Sequence, residues 1–266
     1  MHKDLYLLNI SNVLPFTQHY NELLELLTPS EAGQIIAKRN TQQALHALAS
    51  KLFQKYVLAE TVKGSLREIV IEHNQYNKPT SRLVEFNTTH DGDWIVVGVG
   101  EKSDGPLGVD VTRRDKNSEF DGDLEFMEMC LTNSEAVRMR SCQALAAVYW
   151  CVKEAFLKYV GTGLMNTDLH EVDIVLPDGF EERYAQSLVD HDAALGGEHQ
   201  FSWLECGPVE LRLSRISQGA LEIRLFALGP ELIGSICYGK GPNGPKPGRS
   251  VGVHHVPVSA ILAEAA

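Results

Sequence analysis

Apolar and polar positions follow two different periods along this chain. Leu45, Leu48, Leu52 and Tyr56 recur at three- and four-residue steps within residues 41–60, which predicts one long helix with a single buried stripe. Lys51 and Lys55 fall off that stripe, so the pattern places them on the wetter side, and a break is expected at Gly64. Ahead of this helix, residues 4–10 read as a strand and 21–27 as a helical turn. Thr28-Pro29-Ser30-Glu31 reads as the start of another helix, because Pro is tolerated in a first turn and an early Glu suits the positive end of the helix dipole. Three strands are expected at 68–73, 83–87 and 94–99, with turns at Asn77-Lys78-Pro79 and Asp91-Gly92-Asp93. A further short strand, 107–111, follows the Asp104-Gly105-Pro106 turn.

The second half opens with helical material from about Leu124, then a capped helix at 132–140 and another at 143–160 that stops at Gly161 and Gly163. Strands are expected at 171–176, 209–216, 221–228 and 232–238, with Ser217-Gln218-Gly219 as a hairpin turn. Residues 190–200 read as an irregular surface insertion, and 239–250 as a mildly basic loop dense in Gly and Pro. No internal repeat stands out. Helices and strands cluster rather than alternate, which favours an α+β class over a doubly wound sheet.

Composition narrows the function classes. The 266 residues are 44% hydrophobic and 22% charged, ordinary for a globular chain that buries its own core. A formal net charge of -11 argues against nucleic acid or an anionic membrane as the main partner, while leaving room for a local basic pocket. Five widely spaced cysteines, with no CxxC, suggest neither a disulfide framework nor a zinc site. With no signal-like or membrane-spanning stretch, a reducing cytoplasm is the expected compartment.

Four constellations carry chemistry, each with a plain structural alternative. Trp150, Glu154 and Lys158 stand four apart in WCVKEAFLK and share one helix face, where a carboxylate and an ammonium can hold a metal and a phosphate together. The same spacing also gives an ordinary solvated ion pair worth about 0.3 kcal/mol. Gly108-Val109-Asp110-Val111 sets one acid inside an apolar strand, which calls for a partner: a hard cation, or Arg113 or Arg114 at a strand end. Phe86-Asn87-Thr88-Thr89-His90 is a strand running into a polar turn, suited to a phosphate or to bonding its own backbone. The Asn77-Lys78-Pro79 turn and the Lys38-Arg39 pair are unremarkable alone, and His254-His255 read as surface or strand-edge residues. No P-loop, GxGxxG, GxSxG or HExxH is present.

In their order, NKP, FNTTH, GVDV and WCVKEAFLK, these motifs resemble the 4'-phosphopantetheinyl transferase superfamily, and within it the long, monomeric, surfactin-type branch. The resemblance spans residues 30–176 by motif. It implies a pseudo-dimer of two similar α+β halves with the active site at their interface: residues 1–103, residues 104–238, and a Gly/Pro-rich loop and tail at 239–266. The implied activity is transfer of phosphopantetheine from coenzyme A to a serine of acyl or peptidyl carrier protein domains. These carriers belong to fatty acid, polyketide and nonribosomal peptide synthases or an aminoadipate reductase of lysine biosynthesis, and the by-product is 3',5'-ADP.

The implied residue roles follow the motifs. Asp110 and Glu154 match the Mg²⁺ ligands, with Glu154 a candidate base for the carrier serine, and Lys158 matches the lysine on the coenzyme A phosphates. Lys78 matches the lysine near the adenine. Thr89 and His90 match a Ser-His pair, with His90 on a phosphate, and Lys38 or Arg39 supplies a basic contact before the long helix. Thr112 stands where many bacterial relatives carry a third acidic ligand, so water or substrate is expected to complete the metal shell. A non-catalytic coenzyme A or carrier-binding module of the same fold and an unrelated metal-dependent phosphohydrolase are the rival readings.

Overall fold

A computed structural model describes residues 3–114, 129–163, 167–196, 200–213, 221–239 and 251–264. The expected helical start near Leu124, the Ser217-Gln218-Gly219 turn and residues 240–250 of the Gly/Pro-rich loop lie outside these. The chain divides into two compact units, one of Met1–Lys102 with Ser250–Ala266 and one of Ser103–Arg249. Among the described residues no helix is long and apolar enough to cross a membrane.

In the first unit, β1 (Lys3–Asn9) leads through α1 (Leu14–Gln18) and α2 (Tyr20–Leu24) to α3 (Pro29–Ile36) and the long α4 (Thr41–Val62). Thr28 and Glu31 form a reciprocal capping box that starts α3, and Asn40 caps α4 by accepting from the Gln43 N–H. A two-residue ladder follows, β2 (Glu72–His73) with β3 (Pro79–Thr80), then the hairpin β4 (Glu85–Asp91) and β5 (Trp94–Gly100). Of the expected strand at 68–73 only Glu72 and His73 form a ladder: Glu68 closes a 3-10 turn, Leu66–Glu68, started by its own Ser65–Glu68 box, and 69–71 are irregular. Strand β4 also runs on through His90 and Asp91, where a polar turn was expected. Every residue of β5 is buried, as its β-branched composition requires.

Lys55 departs from the amphipathic reading: it is fully buried, and Lys51 is half-buried. The reason is tertiary. Helix α4 packs against α1, α2 and α3 as well as β5, so little of its girdle stays wet.

The end of the chain also differs from the expected separate tail. Strand β12 (Gly252–His255) pairs in parallel with the open edge of β1, and the helix Val258–Ala263 buries Ile261 against the core around α4. A β-carbon at Gly252 would fall 2.1 Å from Asp4 Oδ1, so a larger residue there would displace the Asp4 side chain. The exposed His254 stacks on Tyr6.

In the second unit, β6 (Leu107–Arg113) precedes α5 (Asn133–Ser141) and α6 (Leu145–Val160), which ends at Gly161 in the left-handed conformation. Strands β7 (Asp173–Val175) and β9 (Glu210–Arg212) form a small ladder. Helix α7 (Phe180–Ala194) fills a stretch whose end, 190–194, was expected to be irregular; Phe180, Tyr184 and His191 are its buried positions. Strands β8 (Phe201–Trp203), β10 (Leu221–Leu228) and β11 (Leu232–Gly239) complete a sheet in the order β6-β11-β10-β8, antiparallel throughout.

The α+β expectation holds, and the units share a plan. Each runs strand, long helix, antiparallel hairpin, and each sheet sets the hairpin's second strand beside the opening strand: β1-β5-β4 and β6-β11-β10. A short repeat does exist, missed by the hydrophobic pattern: Thr28-Pro29-Ser30-Glu31-Ala32 and Thr132-Asn133-Ser134-Glu135-Ala136 each start a capped helix ahead of the long one.

Candidate functional site

The second unit brings two of the motifs together. Gly108 lies so close under α6 that a β-carbon there would fall 1.9 Å from the Ala155 carbonyl oxygen and 2.4 Å from the Tyr159 nitrogen. That glycine lets the helix settle on the strand. Two residues on, Asp110 points to the same sheet face, is buried, and accepts from Lys158 Nζ at 2.7 Å. Lys158 therefore reaches the strand acid rather than serving only the solvated helix pair that its spacing allowed. Asp110 sits in mid-strand, three residues short of the end of β6, instead of capping a turn. The Cys151 thiol donates to the Asp110 carbonyl at 3.3 Å and ties the preceding helical turn to the same point. Glu154, half-buried, stands one turn before Lys158 on this helix.

Two hydroxyls share the Asp110 face. Thr112 lies two residues along β6, and Ser235 sits directly opposite Asp110 on β11. Both are buried, and neither hydroxyl has a hydrogen-bond partner among the described residues. An orphaned hydroxyl costs about 1–3 kcal/mol, so a pair beside a buried acid asks for an explanation. Ser235 carried no signal in the sequence; only strand register finds it. No group of three or more His, Cys, Asp or Glu side chains that could hold a metal occurs among the described residues.

Beside Glu154, Lys153 is fully buried. Its ammonium reaches Glu135 Oε2 at 2.8 Å and donates to the carbonyls of Leu169 and Val172 at 2.9 and 2.8 Å. Burial pushes its pKa down, against the pull of the Glu135 carboxylate.

The first unit supplies a pocket of about 710 Å³ lined by Lys38, His46, Ser50, Lys51, Gln54 and His90, with Ile10, Ala47 and Ile95 as its apolar part. Lys38, in the loop before α4, and His90, from β4, thus meet in one cavity, while the exposed Arg39 is not among its lining residues. Lys51 lies 3.8 Å from Glu31, and burial pushes its pKa down more than that carboxylate raises it. Glu31 is bonded by the Thr28 N–H at 2.9 Å and by Lys55 at 3.4 Å. Burial alone would raise its carboxyl, but these bonds and charges outweigh it and hold the pKa below the ordinary value. Gln54, one of the lining residues, is buried and keeps its Oε1 without a partner among the described residues. His46 and Gln54 were not singled out in the sequence, and Lys51 was read only as a wetter-side residue; their spacing along α4, with Ala47 and Ser50, was the available signal.

Thr89 and His90 face opposite ways on β4. Neighbouring strand residues face opposite ways, so His90 is exposed toward the pocket while Thr89 is buried on the other face with Asn87. Lys78 lies outside the pocket, half-buried in the turn where Asn77 adopts a left-handed backbone and Asn74 Oδ1 accepts from the N–H groups of Tyr76 and Lys78. Burial lowers the Lys78 pKa, with Glu85 pulling the other way.

Comparison with known proteins gives one family for both units. A model described as the 4'-phosphopantetheinyl transferase superfamily matches residues 106–200, and one described as 4'-phosphopantetheinyl transferase, N-terminal, matches residues 12–102. An L-aminoadipate-semialdehyde dehydrogenase-phosphopantetheinyl transferase of Candida glabrata is 28% identical over 173 residues, 60% of this chain and 65% of the relative. One of the same description from Xenopus laevis is 27% identical over 152 residues, 51% and 50% of the two chains. A 4'-phosphopantetheinyl transferase of Bacillus pumilus is 26% identical over 129 residues, 46% and 52%. The matches thus span less than two thirds of the length of each of these relatives.

Proposed function

Because the chain belongs to the 4'-phosphopantetheinyl transferase superfamily, we propose that it moves the phosphopantetheine arm of coenzyme A onto a serine hydroxyl of a carrier protein domain, releasing 3',5'-ADP. The observation that carries this reading is the contact of Lys158 with Asp110 at 2.7 Å, which joins the two most specific motifs in one cluster.

The donors around Asp110 suit a hard divalent cation, which prefers oxygen ligands. They are the Asp110 carboxylate and the unpartnered hydroxyls of Thr112 and Ser235, and Glu154 lies one helical turn before the Lys158 that contacts Asp110. Asp110 and Glu154 would hold Mg²⁺, with Thr112 a neutral oxygen where many relatives place a third acid. When bound, the ion would neutralise charge on the pyrophosphate as its P–O–P bridge breaks, one phosphate leaving with the arm and the other staying in 3',5'-ADP. Glu154 takes the proton of the carrier serine, and Lys158 holds phosphate oxygens. In the first unit, Lys38, Lys51 and His90 make the pocket a phosphate receptor, so Lys38 rather than Arg39 is the basic contact before α4. Lys78 serves the adenine end, and Thr89 supports β4 from its other face.

The protein works as a monomer of the surfactin-type branch in the cytoplasm. Carriers of fatty acid, polyketide or nonribosomal peptide synthases, or an aminoadipate-handling enzyme as in the names of two relatives, are its partners. The test is mass spectrometry of apo-carriers incubated with coenzyme A and Mg²⁺. A phosphopantetheine mass gain on at least one carrier is expected, and none on any would refute the reading. Glu154→Ala should slow transfer by about 10²–10⁴-fold, the usual worth of a general base, and Asp110→Ala should abolish it, each in a folded protein. Full activity in either variant would refute its assigned role.

A further inference from the structure

The Glu135–Lys153 pair has no part in the reaction as described, yet it is among the most demanding features of the second unit. Both side chains are 1% exposed at a separation of 2.8 Å. The Lys153 ammonium has three partners, Glu135 and the carbonyls of Leu169 and Val172. The Glu135 carboxylate in turn accepts from the Thr132 and Ile174 N–H groups, each at 2.7 Å. Apolar side chains of similar volume often stabilise a core as well as a buried ion pair or better, so stability alone does not account for it.

Such a network does fix direction, which apolar packing does only loosely. It ties one position of α6 to the start of α5, to the 3-10 turn Leu169–Glu171 and to β7. The tied residue directly precedes Glu154. Gly108 lets the same stretch of helix sit down on β6 at Ala155 and Tyr159. The helix is therefore gripped within one turn of Glu154 from two directions. The first unit repeats the device in looser form: Glu31 of the matching capping box meets Lys55 at 3.4 Å and Lys51 at 3.8 Å, and Lys51 lines the pocket. Twice, a capping glutamate holds a lysine of the long helix beside a candidate site.

We propose that Glu135 and Lys153 are positioning residues that hold the Glu154 carboxylate where it and Asp110 share one divalent cation, an inference that rests on the metal assignment above. The experiment is a Mn²⁺ titration of the full chain, with and without coenzyme A, read by loss of the free-ion electron paramagnetic resonance signal. Wild type is compared with Glu135→Gln/Lys153→Met, which removes both charges together, and with Glu135→Gln, which keeps the shape. Both variants should keep the wild-type circular dichroism and a cooperative melt. Their Mn²⁺ affinity should fall by about 10–100-fold, as when other residues that orient metal ligands are changed. Should Glu135→Gln, which leaves the Lys153 charge buried without its counter-ion, fail to fold, the double variant decides. Wild-type affinity in a folded variant overturns the positioning role. Absence of Mn²⁺ binding by wild type, or binding that Asp110→Ala leaves unchanged, overturns the metal assignment itself.

Discussion

In the first unit, Glu31 shares its carboxylate between two lysines of α4 at 3.4 and 3.8 Å and is 14% exposed; in the second, Glu135 meets one lysine of α6 at 2.8 Å with both side chains 1% exposed. The two glutamates sit at the same place in the same five-residue motif, at the start of equivalent helices. The difference follows the tasks proposed for the units. A pocket that receives a flexible phosphate tolerates a lysine with some slack, whereas a carboxylate that must meet a cation needs its helix fixed to a fraction of an ångström.

The sharpest way to break this contrast is to remove one lysine from each unit. Lys153→Met leaves the Glu135 charge buried without its counter-ion, held only by the Thr132 and Ile174 N–H groups, which costs about 3–5 kcal/mol. Lys55→Met leaves Glu31 with Lys51, the Thr28 hydrogen bonds and some solvent, so about 1 kcal/mol is expected. Denaturant unfolding of the two variants measures both. Equal losses would mean that the two clamps are energetically alike.

Gly108→Ala tests the other grip on α6. The new β-carbon meets backbone rather than a side-chain end, at 1.9 Å from the Ala155 oxygen, so the helix must lift from β6. Overpacking of this kind costs about 1–3 kcal/mol, and a lifted helix also carries Lys158 away from Asp110. Thermal unfolding combined with the carrier assay should show activity falling further than stability. A variant as active and as stable as wild type would contradict the close approach.

Acid separates the units by a different route. The folded-state pKa of Glu31 lies below its ordinary 4.5, so the unfolded chain binds the proton first. Its contribution to stability is complete above about pH 4.5 and is lost as pH falls through the lower, folded-state value. Glu31→Gln should therefore reduce stability at pH 6 and flatten its decline toward pH 3, as followed by denaturant midpoints. Part of the decline should persist, because Glu181 of the second unit is likewise held down, chiefly by its hydrogen bond from Arg138. An unchanged acid limb in Glu31→Gln would show that the carboxylate is not stabilised by its partners.

What the sequence revealed depended on how local the cause was. The capped starts at Thr28 and Thr132 and the stop at Gly161 are decided within a few residues, and they were readable. Asp110, Glu154 and Lys158 were readable as candidates, because an acid in an apolar strand and charges four apart on a helix are local patterns as well. The register that sets Ser235 opposite Asp110, and the backbone approach that makes Gly108 necessary, are set by distant segments. Lys55 misled for the same reason: one helix period records one buried face, while α4 is packed on several. The closing strand β12 was hidden because four residues pairing with an open edge leave almost no periodic trace.

The smallest effect bears on the same comparison from its quiet side. Gly33 lies within α3, the helix that carries the looser clamp, and a β-carbon there would meet nothing within 4 Å. Its backbone is helical, so Gly33→Ala introduces no strain and removes conformational freedom from the unfolded chain. A gain of about 0.5–1 kcal/mol is expected, seen as a small rise in the unfolding midpoint. Firming α3 should steady Glu31 but leave Lys153 and the Asp110 cluster as they are. Coenzyme A affinity is therefore free to rise slightly, while Mn²⁺ affinity stays at the wild-type value. A change in Mn²⁺ affinity of the size expected for Glu135→Gln would show that the clamp of the first unit also governs the metal ligands, and would undo the division of labour drawn from the two motifs.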